Sequence, residues 1–75
     1  MSKDENPIHK VIGEAIRNRR ELLNLSQENV AFTLGFSQAA LSQIELGKSP
    51  NVGDYIMRLE KHLKFDVGEL SSLLK

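Results

Sequence analysis

Apolar residues recur three or four apart at Ile8, Val11, Ile12, Ala15, Ile16, Leu22 and Leu23, the spacing of one face of an α-helix. The stripe predicts a first helix over 8–23, stopped by a left-handed Asn24; Arg19 interrupts it where an aliphatic is expected. Ser26 is a good N-cap for a second helix, with Glu28 favourable in its first turn and Val30, Ala31 and Leu34 facing inward. Gly35 can take a positive φ and end that helix, and Phe36 plugs the core at the turn. Ser37 caps a third helix running to Leu46, with Gly47 as its stop. After a break at Ser49-Pro50, Asn51 with Asp54 three residues on has the pattern of a cap. The fourth helix then carries the stripe Val52, Tyr55, Ile56, Leu59 and Leu63. A fifth short helix is predicted from near Asp66, burying Val67, Leu70, Leu73 and Leu74. No segment alternates as a strand does. The fold class is therefore all-α: a compact five-helix bundle over 8–75, behind a disordered leader over 1–7.

The third helix is the most informative element. At about 100° per residue, Ala40, Leu41 and Ile44 form one face with Glu45 at its edge. Gln38, Ala39, Ser42, Gln43 and Leu46 share an outward arc of roughly 140°. A glutamine amide both donates and accepts, so it can bind adenine N6 and N7 together in the major groove. The small Ala39 allows close approach and can touch a thymine methyl. Ser42 can serve a base or a phosphate. The alternative is a merely solvated face, which the preceding Ser26-to-Gly35 helix and tight turn disfavour. At the start of that preceding helix, free N–H groups at Ser26 and Gln27 favour a phosphate, and the Gln27 side chain can add a hydrogen bond.

Composition narrows the classes. At 75 residues there is room for one domain, and with no cysteine there is no disulfide, thiol nucleophile or thiolate metal cluster. That fits a reducing cytosol. His9 and His62 are isolated in sequence, so no metal site is expected. No apolar run is long enough to span a membrane, and the first residues lack a signal-peptide core. The net charge of zero argues mildly against nucleic acid. Its distribution argues the other way, because Arg17, Arg19 and Arg20 cluster in the first helix and Lys48 follows the turn.

The ordered set Ile16-Arg17, Arg20, Leu25-Ser26-Gln27-Glu28, Ala31, Leu34-Gly35, Ser37, Leu41-Ser42, Ile44-Glu45 and Gly47-Lys48, continuing through Pro50 to Glu69-Leu70, resembles the lambda-repressor-like helix-turn-helix family, the Cro/C1 or XRE type. The resemblance implies five helices, with the third (37–46) in the major groove of double-stranded DNA. It also implies dimers reading two half-sites about one helical turn apart. By position, Gln38, Ala39, Ser42 and Gln43 would face bases, while Arg17, Ser26, Gln27, Ser37 and Lys48 would contact phosphates. Arg20 and Glu45 would pair to brace the first helix against the third, and the edge position of Glu45 agrees with that. Arg19 either competes for Glu45 or snorkels. Leu46 is left to touch a sugar, a methyl group or nothing. Lys64 stands where glycine is common.

The reading that follows is a bacterial or phage transcriptional regulator, a repressor or autoregulator binding a palindromic operator as a homodimer. A neutral single domain makes few phosphate contacts, and two linked copies gain by effective concentration. The terminal stripe of Val67, Leu70, Leu73 and Leu74, with Tyr55 or Leu63, is expected to form the two-fold interface; the alternative is that these residues only close the core. The second function is an antitoxin-type module that binds a protein partner and represses its own operon. Phe32, Leu46 and Leu73-Leu74 keep it open. An enzyme is excluded for want of a nucleophile elbow, metal-ligand spacing or glycine-rich phosphate loop. Neither a cofactor nor a small-molecule ligand is expected.

Overall fold

The computed structural model describes residues 7–49 and 52–74. Four α-helices run in order, α1 (Pro7–Leu22), α2 (Gln27–Leu34), α3 (Gln38–Glu45) and α4 (Val52–His62), followed by a 3₁₀ turn at Ser71–Leu74. Among the described residues there is no strand, so the protein is all-α as expected. The residues before Pro7, the Pro50 break, the Asn51 cap and the Leu74 side chain lie outside the described residues. Pro7 opens α1, where its missing N–H costs nothing and its fixed φ suits the first turn.

Each of the four α-helices closes through a left-handed residue: Asn24 (φ 61°), Gly35 (83°), Gly47 (76°) and Lys64 (65°). The residue after each returns its N–H to a carbonyl five positions back. These bonds run from Leu25 to Arg20 (3.0 Å), Phe36 to Ala31 (3.0 Å), Lys48 to Gln43 (2.9 Å) and Phe65 to Glu60 (2.8 Å). The otherwise orphaned last carbonyls are thereby satisfied. The stops expected at Asn24, Gly35 and Gly47 are all present, and Lys64 takes the same conformation without being glycine.

Ile12 and Ile16 of α1, Val30 and Ala31 of α2, Leu41 and Ile44 of α3, Val52, Ile56 and Leu59 of α4, and Leu63 and Leu70 form one buried core. Each large aliphatic there contributes about 1.5–3 kcal/mol. Phe36 packs against this core as expected and meets Tyr55 at 4.7 Å between ring centroids.

Two expectations need correcting. Ile8, Val11 and Leu22 are exposed rather than buried. Gly13, on the opposite shoulder of the stripe, lets α3 come close enough that a Cβ there would fall on the carbonyl oxygens of Ile44 and Glu45. This contact turns α1, so its buried face runs through Ile12, Gly13 and Ile16. A Cβ on Gly47 would likewise lie 2.7 Å from the Lys10 Cα. These two bare positions let α1 lie flush against the end of α3.

The second correction concerns the fifth helix. No α-helix starts at Asp66; residues 67–70 form turns, and only the 3₁₀ turn follows. Leu70 is buried, but Val67 is 99% exposed and Leu73 40% exposed. The cause is Glu60, an inward carboxylate that gathers backbone N–H groups from this segment: Leu70 at 2.6 Å, Ser71 at 2.8 Å and Gly68 at 3.2 Å. A continuing α-helix would tie up these donors in its own ladder beyond the first turn.

Candidate nucleic-acid interface

Both helices of the α2–α3 pair begin as their sequences require. The Ser26 hydroxyl accepts from the Asn29 N–H and the Ser37 hydroxyl from the Ala40 N–H, each at 3.0 Å. Ser26 and Ser37 themselves keep extended backbone angles, which is the geometry of an N-cap. Leu41, Ile44 and Glu45 of α3 are buried; Gln38, Ala39 and Gln43 are exposed, Ser42 is half-buried and Leu46 is 52% exposed. The division follows the helical geometry, except that Ala40, expected inward, is half-buried and Glu45, expected at the edge, is buried.

A buried charged network sets the orientation of α3. Arg20 Nε donates to Glu45 Oε2 at 2.7 Å and its Nη2 to Glu45 Oε1 at 3.2 Å. Arg20 Nη1 donates to the Leu25 carbonyl at 2.8 Å, and Gln27 Nε2 donates to Glu45 Oε1 at 3.0 Å. One carboxylate thus joins α1, α2 and α3. Its hydrogen bond raises the Arg20 pKa above its ordinary value, against the opposing effect of burial. Removing Arg20 would leave the buried Glu45 carboxylate without its counter-charge, which typically costs about 3–5 kcal/mol.

The remaining expected residues fall as follows. Arg17 is exposed and forms an ion pair with Glu21 at 3.3 Å. Lys48 is exposed just beyond the end of α3. Gln27 is half-buried, its amide turned onto Glu45, so its side chain has a positioning task that the sequence did not reveal. Arg17, Arg20, Glu21, Gln27, Ser42, Glu45 and Leu46 line a cleft of about 150 Å³ between α1 and α3.

Arg19 does not compete for Glu45. Its Nη1 donates to the carbonyls of Leu63 (3.1 Å) and Lys64 (3.0 Å), and its guanidinium lies 4.3 Å from the Phe65 ring centroid. The cation thus caps the end of α4, a favourable place for positive charge.

Of the residues expected at a two-fold interface, Leu63 and Leu70 are enclosed in the core of the single chain at 0% and 3% exposure. Tyr55 is half-buried against Phe36, and Val67 and Leu73 remain accessible.

Sequence reasoning missed Gly13, Glu60 and the docking of Arg19. The available signals were a glycine inside the α1 stripe, an acid at the edge of the α4 stripe, and Gly68 inside the expected fifth helix. Burial alone would push the Glu60 carboxyl up. The N–H groups of Ser71, Leu70 and Gly68, with the Ser71 hydroxyl, outweigh it and leave the pKa below the ordinary 4.5.

Among the described residues no group of three or more His, Cys, Asp or Glu is placed to hold a metal, and no helix is long and apolar enough to cross a membrane. Residues 16–70 match the family model described as helix-turn-helix. No curated protein matches the chain, and no solved structure does.

Proposed function

The chain belongs to the Cro/C1-type helix-turn-helix family, whose members are DNA-binding regulators, and from that premise we propose that it is a sequence-specific repressor acting as a homodimer on a palindromic operator. The observation that carries this reading is the division of α3. Leu41, Ile44 and Glu45 are locked inward, which leaves Gln38, Ala39, Ser42 and Gln43 on one outward surface. These side chains read base edges. Arg17 and Lys48, with the N-terminus of α2 at Ser26 and Gln27 and the Ser37 cap, hold the flanking phosphates. Gln27 acts as much by holding Glu45 as by any phosphate contact.

A dimer is supported by energetics. The zero net charge gives each copy little overall electrostatic attraction to DNA, and a second tethered copy multiplies that affinity. With Leu63 and Leu70 occupied in the core, Val67, Leu73 and the open edge of Tyr55 are the surface for the two-fold contact.

Selection of bound sites from a random duplex pool at fixed low salt tests this reading. The expected product is a two-fold symmetric motif with half-site centres about one helical turn apart. Recovery of an asymmetric single site would remove the dimer, and no enrichment above salt-sensitive background would remove sequence-specific binding.

A protein partner is the second reading, favoured by Phe32, which stands 86% exposed on α2. Stable copurification with a second chain, lost in Phe32→Ala, is its test.

A further inference from the structure

Leu46 is the residue on the outward surface of α3 that the proposed function leaves without a task. It is the C-cap of α3 with right-handed helical angles (φ −84°, ψ −5°), so its side chain continues the helical arc. Measured from Gln38 at about 100° per residue, Ser42 lies near 40°, Leu46 near 80°, Ala39 near 100° and Gln43 near 140°. Leu46 is therefore central in the arc rather than at its rim. A rim position would meet sugars and phosphates; a central one meets base edges.

The cleft offers Leu46 no inward alternative. It is lined by the Arg20–Glu45–Gln27 network, which is polar, and the leucine stands 52% exposed. Of the groups that base pairs present in the major groove, the apolar one is the thymine C5-methyl. Leu46 lies eight residues beyond Gln38, or about 12 Å along the helix axis. That reach is at most three to four base-pair steps of about 3.4 Å each, because a helix lying along the groove is inclined to the duplex axis. Arg17, in the same cleft, is placed to hold the phosphate flanking that end of the half-site.

We propose that Leu46 is a specificity-determining residue that packs on a thymine methyl within three to four base pairs of the position read by Gln38. This rests on the DNA-reading role of α3 proposed above.

The test replaces each thymine of the selected operator in turn by uracil, which removes the methyl and nothing else. Binding is measured for the unaltered protein, Leu46→Ala and Leu46→Met, with thermal melting to verify that each variant folds. For the unaltered protein, one thymine per half-site is expected to lose about fourfold in affinity on becoming uracil, the equivalent of one buried methyl. Leu46→Ala is expected to bind the thymine and uracil duplexes equally at that position, and Leu46→Met to restore part of the difference. Selective binding with uracil losses that are the same in the protein and in Leu46→Ala overturns this inference alone. Absence of selective binding by the unaltered protein overturns the DNA reading and this inference with it.

Discussion

Among the described residues two carboxylates are buried, Glu45 and Glu60, at 5% and 3% exposure, and they are neutralised in different ways. Glu45 lies at the helix-turn-helix end and is met by a guanidinium and an amide, both side chains delivered from other helices. Glu60 lies on α4 and is met by backbone N–H groups of the segment that follows. The first arrangement fixes helices relative to one another, so it governs where the reading surface points. The second fixes a stretch of irregular chain and governs how the carboxyl end of the domain closes. A charge met by another charge is insensitive to which backbone turn surrounds it; a charge met by three amides selects that turn.

The largest effect that separates the two regions is expected at Glu45. Glu45→Ala takes from the half-buried Arg20 its close carboxylate, leaving the Glu21 carboxylate at 4.0 Å and the Leu25 carbonyl, and should lower unfolding free energy by about 3 kcal/mol, the low end for a broken buried pair, read from the denaturant midpoint. A loss below about 1 kcal/mol would mean that water replaces the carboxylate and that the network does not hold α1, α2 and α3 together.

Glu60 comes next. Glu60→Ala strands three backbone donors and should cost about 1–3 kcal/mol for each that stays buried and unpaired, with some relieved by water. The same carboxylate gives the domain an acid-sensitive component. Because its folded pKa lies below 4.5, its stabilising contribution is complete above that value and is lost as pH falls from there through the folded pKa. Denaturant midpoints from neutral pH downward should fall in this window more steeply for the unaltered protein than for Glu60→Gln. Parallel curves would show that the cage does not favour the ionised form.

The smallest expected effect is a gain. Lys64 sits at φ 65°, a region that is costly for any residue with a Cβ. Lys64→Gly should stabilise by about 0.5–1 kcal/mol, since the Arg19 bond reaches the backbone carbonyl rather than the lysine side chain. A loss of stability would place the value of Lys64 in its side chain instead.

The same contrast explains what could be read from the sequence. The α2–α3 pair was legible residue by residue because its determinants are local: Ser26 and Ser37 cap, Gly35 and Gly47 stop, and the period of 3.6 divides Leu41 and Ile44 from Gln38 and Gln43. The closing segment was not legible, because its apolar spacing at Val67, Leu70 and Leu73 mimics a helix. What decides its shape is Glu60, eight to eleven residues earlier. The α1 stripe misled for a related reason. Helical periodicity identifies an apolar face, but the close approach at Gly13 chooses which edge of that face is buried. Arg19 and Gln27 were placed on the right elements, but their partners depend on distances between helices that no spacing encodes.

The most direct test of the central claim, that α3 reads bases through a surface held by the Glu45 network, is a binding panel. Gln38→Ala, Gln43→Ala and Gln27→Ala would each be measured against every single-base-pair variant of the selected operator. For Gln38→Ala and Gln43→Ala the expected result is a loss of roughly 1–3 kcal/mol with discrimination relaxed at one base pair per half-site. For Gln27→Ala it is a loss shared by all sequences. Uniform losses for Gln38→Ala and Gln43→Ala, with base-pair preferences intact, would contradict it.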